Sequence, residues 1–256
     1  MIINLLHLII TRLIFFCQKD VKKRFDPFMA EVMAEAGDNV HSVYLIGSAL
    51  TTDFNPSHSD INSILMLLKM DLKLLERLAP LGKKYGKKGI AAPLIMTPAY
   101  VEKSLDVFPI EFLNIKLIHH CLSGEDIFND VSISRSDLRR QCERELKIRK
   151  IRLRQQYIHA AGDKKILTHE FFSSFSGYIP LFRGIIALYG NDPPVTNAEV
   201  LKALEDVTNV NAGAFKRVMR EKQQRSRLSL EQLNTLFEDY DAAIKKLGDM
   251  IDEMEV

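Results

Sequence analysis

Apolar positions follow two different rhythms along this chain, and the change between them falls about halfway. In the first half, Val43-Tyr44-Leu45-Ile46 is an unbroken apolar run closed by Gly47 and Ser48, and after a polar loop Ser59-Asp60-Ile61-Asn62-Ser63 leads into Ile64-Leu65-Met66-Leu67. Runs of that length bounded by turn residues predict buried strands. Helical spacing over 19–38 delivers the chain into the first strand, and 70–81 reads as the helix after the second. The basic stretch 83–89 reads as a turn and 92–96 as a short strand. Pro98 marks a helix start, and 108–116 reads as a strand that carries Glu111. The sum is a mixed sheet flanked by helices, an α/β (α+β) domain.

Beyond Gly124 the strand rhythm stops. Residues 125–135 are polar and loop-like, and the remainder of the chain keeps helical spacing, which places a domain boundary there: 1–125, then an all-α bundle over 126–256. Ser136 or Asp137 can cap a helix running to about Ala161, with Leu138, Cys142, Leu146, Leu153 and Tyr157 along one stripe. Its remaining faces are strongly basic, Arg139 and Arg140 among them. Such residues form a solvated face or a phosphate-binding one, and the spacing does not choose between these. The aromatic run over 168–189 reads as bundle core, interrupted by Pro180 and closed by Gly190. Thr196 or Asn197 caps a short helix to Val207, 211–221 forms another, and Ser229 with Gln232 predicts a capping box on a long last helix. About four or five helices are expected.

Composition narrows the class further. The chain has 256 residues, 46% of them hydrophobic and 27% charged, which is enough for a sizeable core. Cys17, Cys121 and Cys142 show no paired spacing, so neither a disulfide framework nor a zinc site is indicated, and a cytoplasmic location is expected. A net charge of +2 gives no strong nucleic-acid signal. The apolar segment 1–17 is interrupted by Arg12 and followed by Gln18-Lys19-Asp20, which fits neither a secretory leader nor a membrane span. As a helix it presents a wide apolar face suited to packing on its own domain or on a second copy, so a homo-oligomer through this segment is one expectation.

Candidate chemistry gathers at the two strands. A strand ending in Gly47-Ser48 and then turning aims backbone N–H groups toward an anion such as a phosphate. Alternation along a strand puts Asp60 and Asn62 on one face and Ile61 on the other, and two adjacent oxygen ligands suit a hard cation. A lone acid in an apolar strand, Glu111, would be costly to bury without a partner, so it draws attention as a third member.

Gly47, Ser48 and Asp60 in this order resemble the nucleotidyltransferase superfamily, whose pattern is strand, Gly-Ser, a variable loop and Asp-x-Asp. A small domain of that kind followed by a helical bundle is similar in architecture to the aminoglycoside nucleotidyltransferases and related bacterial proteins. The resemblance implies transfer of a nucleoside monophosphate from an Mg²⁺-bound (or Mn²⁺-bound) nucleoside triphosphate to a hydroxyl of an acceptor, small molecule or protein. It implies Asp60 and Glu111 as catalytic residues, Asp60, Asn62 and Glu111 as metal ligands, and Gly47, Ser48, Arg139 and Arg140 as nucleotide-binding residues. Asn62 departs from the pattern, standing where the family has its second aspartate. An amide still offers an oxygen but brings no charge, which weakens a divalent cation's hold. A relative that binds a nucleotide or a partner protein without transfer is therefore the second expectation, and an assembly module built on the apolar segment the third.

Overall fold

The computed structural model describes residues 20–57, 59–224 and 228–255. The expected helix over 1–17 lies outside them. The chain divides into two compact units, one of residues up to Leu105 together with Asn114–Ser132, the other of Asp106–Leu113 and Ile133–Val256.

In the first unit, helix α1 (20–36) precedes strand β1 (Val40–Ile46). Strand β2 (Asn62–Leu67), helix α2 (Leu72–Gly86), strand β3 (Leu94–Met96), the short helix α3 (Pro98–Glu102) and strand β4 (His119–Gly124) come next. The sheet order is β3-β2-β1-β4, with β1 antiparallel to both neighbours and β3 parallel to β2. One face carries Val43, Leu45, Leu65 and Leu67 and packs on Phe25, Phe28 and Val32 of α1 and Leu74, Leu78 and Tyr85 of α2. The apolar stripe on each helix is thus matched by every second residue of the strands. On the other face the Tyr44 ring meets Phe128 edge-on at 4.8 Å. Its hydroxyl donates to the Glu125 carbonyl at 2.5 Å and accepts from the Ile127 N–H at 3.2 Å, fixing the loop after β4.

Three expectations about this unit need correction. Residues 108–116 are not a strand: Pro109–Leu117 is a helix, α4. Pro109 suits a first helical turn, and Ile110, Phe112 and Ile115 are buried on more than one side, so no alternation existed to be read. The strand beside β1 is instead β4, in a stretch rich in histidine and serine that carried no apolar signal. Lys83, Lys84 and Tyr85 are not a turn but the end of α2, which runs through Pro80. Tyr85 is buried there, donating its hydroxyl to Glu31 of α1 at 2.6 Å, and this tertiary anchor holds the last turn of the helix.

In the second unit the helices are α5 (Arg135–Ala160), α6 (Lys164–Phe175), α7 (Tyr178–Leu188), α8 (Asn197–Thr208), α9 (Gly213–Gln224) and α10 (Leu230–Asp252). Among the described residues that makes six rather than the four or five expected. The extra one arises because the aromatic stretch divides before Pro180, which sits in the first turn of α7 where a missing N–H costs nothing. Ser134, not the expected Ser136 or Asp137, caps α5, both of those residues lying inside its first turn; Thr196 and Ser229 cap α8 and α10, the last through a full capping box with Gln232. Phe171, Tyr178, Phe182, Phe215 and Tyr240 meet edge-on or tilted in the core. Arg183, also buried, donates to the carbonyls of Pro194 and Val195 at 3.0 and 2.5 Å and so holds the turn between α7 and α8. No single described helix is long and apolar enough to cross a membrane, although α6 and α7, bent by 45°, would pass together on length and composition.

Candidate functional site

Strand register brings Gly47, Ser48, Asp60 and Asn62 to one end of the sheet. Ile46 lies opposite Asn62 on β2 and opposite His119 on β4. Residues directly opposed in antiparallel strands share a face, so the amide and the imidazole flank the end of β1. There the chain turns sharply. Gly47 takes φ +73°, a left-handed conformation that favours glycine, and Gly47–Leu50 forms a single 3-10 turn. The Gly47 N–H donates to the Ile118 carbonyl at 3.0 Å, and the Ser48 carbonyl accepts from the Thr51 N–H at 2.9 Å. Both ends of the turn are therefore held, and Ser48 stays half-buried at its tip.

Asp60 and Asn62 are exposed while Ile61 between them is fully buried, the alternation expected from the sequence. The Asn62 amide donates to the Asp60 carbonyl at 3.4 Å. On the side away from β1, Ile61 exchanges hydrogen bonds with the segment leading into β3: its N–H donates to the Gly89 carbonyl at 2.9 Å, and its carbonyl accepts from the Ala91 N–H at 3.0 Å. The stretch running alongside Asp60-Ile61-Asn62 is therefore Gly89-Ile90-Ala91-Ala92, which has no ionisable side chain.

Two groups at this corner carried no signal in the sequence that pointed to a site. Arg24 of α1 reaches across to donate from Nη2 to the Lys88 carbonyl at 2.5 Å. A Cβ placed on Gly89 would lie 2.8 Å from that nitrogen and 3.8 Å from Oδ1 of Asp60, so the guanidinium and the carboxylate converge on the bare face of this glycine. Gly89 has φ +70°. On the other side, His119 Nδ1 lies 2.9 Å from the Ile115 carbonyl and Nε2 lies 3.0 Å from Asp126 Oδ1, which ties the start of β4 to the loop after it. Arg24 could have been noticed only as a cation on an otherwise ordinary helix face. His119 and Asp126 lay in a segment with no apolar pattern.

Glu111, Arg139 and Arg140 belong to the second unit and have partners there. Glu111 sits in the first turn of α4, where an acid favours the positive end of the helix. Gln141 of α5 joins it, its Nε2 donating to Glu111 Oε2 at 2.7 Å and its Oε1 accepting from the Ile110 N–H at 2.7 Å. Arg139 donates to the carbonyls of Met254 and Asp252 at 2.7 and 2.8 Å and to Glu143 at 3.1 Å, closing the C-terminal end of α10 onto α5. Arg140 pairs with Asp137 and is largely exposed.

The donor set does not fit the divalent-cation site that the sequence led us to expect. Asp60 is a carboxylate, Asn62 a neutral amide, and the adjoining strand segment adds no acid. Among the described residues no three of His, Cys, Asp and Glu are grouped so as to hold a metal ion. Cys121 Sγ faces the carbonyls of Ser123 and Gly124, and burial pushes its thiol up from the ordinary range.

A small mixed sheet with a Gly-Ser turn beside an acidic strand start, joined to a helical bundle, is the nucleotidyltransferase fold. Among solved structures the chain is similar to the spectinomycin adenyltransferase AAD(9) from Enterococcus faecialis, determined with ATP and spectinomycin: the TM-score is 0.55 at 13% identity, over 88% of this chain and 99% of that one. No family model and no curated protein sequence matches the chain.

Proposed function

We propose that this protein uses the nucleotidyltransferase fold to bind a nucleoside triphosphate without transferring it, at the corner formed by Gly47, Ser48, Asp60 and Asn62. One observation carries the reading: the strand segment beside Asp60 and Asn62 is Gly89-Ile90-Ala91-Ala92, so these two paired segments share a single carboxylate. Nucleotidyl transfer by metal catalysis calls for several oxygen ligands around one or two divalent ions that clamp the triphosphate. Glu111, the other acid the sequence offered, is engaged with Gln141 on a helix. The Ser48 N–H and hydroxyl at the tip of the turn remain suited to a phosphate oxygen. The similarity to an ATP-bound adenyltransferase supports a nucleotide as ligand.

The second reading, transfer to an unidentified acceptor hydroxyl, draws on the exposure of Asp60 and Asn62 on one face. The two are separated by titrating ATP into the full chain and, in parallel, following pyrophosphate release from ATP in the presence of a panel of hydroxyl-bearing small molecules and proteins as acceptors. Binding with background release is expected, and Asn62→Asp alone should leave release at background. Release above background from the unmodified protein would establish transfer instead, and absence of binding to any nucleoside triphosphate would remove both readings.

A further inference from the structure

The corner's charge balance suggests how a nucleotide would be held. A phosphate tail brings several negative charges, and a protein neutralises them with a divalent cation or with its own cations and N–H donors. Magnesium sheds its water reluctantly and is held by carboxylates acting together with phosphate oxygens. Here Asp60 contributes one negative charge, Asn62 contributes none, and the Arg24 guanidinium reaches the same glycine face as Asp60. That guanidinium repels a dication approaching Asp60 and attracts a phosphate. With Asp60 offset in this way the corner holds a dication less strongly than a lone carboxylate would, and the N–H donors of Arg24 remain for a phosphate.

Three features of the fold bear on the placement of Arg24. Its neighbours Val21, Phe25 and Phe28 are buried against the sheet, which fixes the helix that carries it. One guanidinium nitrogen is tethered to the Lys88 carbonyl, leaving the rest of its planar set of donors available. Gly89 lacks the Cβ that would collide with it at 2.8 Å.

The geometry points to metal-independent nucleotide binding, with Arg24, beside Asp60 at the face of Gly89, as the phosphate-binding cation. This rests on the nucleotide-binding reading above and deepens it. The test is calorimetric titration of the full chain with ATP and with inorganic triphosphate, once in excess Mg²⁺ and once in EDTA. Affinity in EDTA is expected to equal or exceed that in Mg²⁺. Arg24→Gln, which keeps an N–H donor for the Lys88 carbonyl but drops the charge, should weaken binding in EDTA by about tenfold, the scale of one charge-assisted phosphate contact. Arg24→Lys should restore most of the loss, with circular dichroism confirming that both variants are folded. Binding confined to the Mg²⁺ buffer, or affinity in EDTA unchanged by Arg24→Gln, would overturn the inference while leaving nucleotide binding intact. Absence of binding in both buffers would instead overturn the nucleotide-binding reading on which it stands.

Discussion

Single residues in this chain are constrained most tightly where backbone leaves no room for a side chain. Gly124 ends β4 at φ +83°, and a Cβ there would lie 2.1 Å from the His41 carbonyl oxygen and 2.7 Å from the Ser42 Cα. Backbone atoms cannot yield as a flexible side chain would. Gly124→Ala is therefore expected to cost about 4 kcal/mol or more, read as a large drop in the denaturation midpoint. Tyr240 illustrates the opposite case. Its ring lies 4.4 Å from that of Phe215 and 5.4 Å from that of Tyr178, while its buried hydroxyl has no hydrogen-bond partner among the described residues. Tyr240→Phe keeps the packing and removes an unsatisfied polar group, so stability should rise by about 1 kcal/mol in urea denaturation. A decrease would mean that the hydroxyl is satisfied, for instance by a buried water.

At the scale of elements, helices were far more legible in the sequence than strands. The starts of α8 and α10 followed from Thr196 and Ser229, and the extent of α5 from an apolar stripe that repeats several times, although its cap is Ser134 and not Ser136 or Asp137. Strands β1 and β2 were legible because both faces of each are apolar over four or more residues. Strand β4 was not, since its residues take strand form only by hydrogen bonding to β1. The same lack of periodic signal made Pro109–Leu117 look like a strand and gave Glu111 a place it does not occupy. Pairing between elements also sets a pH response. The Arg154 side chain of α5 binds both carboxylate oxygens of Asp241 on α10 at 2.9 Å and holds that carboxyl below the usual carboxylate range. A depressed carboxyl stabilises the fold above its unfolded pKa, and the contribution is lost as pH falls through the folded value. Because Arg154 is half exposed, the contribution is about 0.5–1 kcal/mol. Melting curves between about pH 6 and pH 2 should show the unmodified protein losing slightly more stability than Asp241→Asn over the acid part of that range. Parallel curves would remove the pair from the account of stability.

Across the whole molecule, each unit closes its own hydrophobic core. The sheet packs on α1 and α2, and the bundle gathers its aromatic residues around Tyr178, Phe215 and Tyr240. The change of rhythm near residue 124 led us to expect a single boundary there, between 125 and 126. The units nevertheless divide within α4, whose first residues group with the bundle and whose last group with the sheet. Hydrogen exchange read by mass spectrometry gives a prediction at this scale: Gly124→Ala should cost protection first in peptides from β1, β2 and β4, before those from α7 and α10. Simultaneous loss everywhere would mean that the two cores unfold as one cooperative unit.

The order of residues determined the chemistry on offer: Gly47-Ser48 as a turn, Asp60 and Asn62 on one face, a neutral amide at position 62, and a second half made of helices. Local propensity and alternation suffice for that, because each depends on residues only a few positions apart. Tertiary structure alone decided what stands next to what. It set an acid-free segment, Gly89 to Ala92, against β2, drew Arg24 from 36 positions away in sequence toward Asp60, and gave Glu111 to the first turn of a helix. Those neighbours are brought together by long-range hydrogen bonds and burial, forces that leave no periodic trace along the chain.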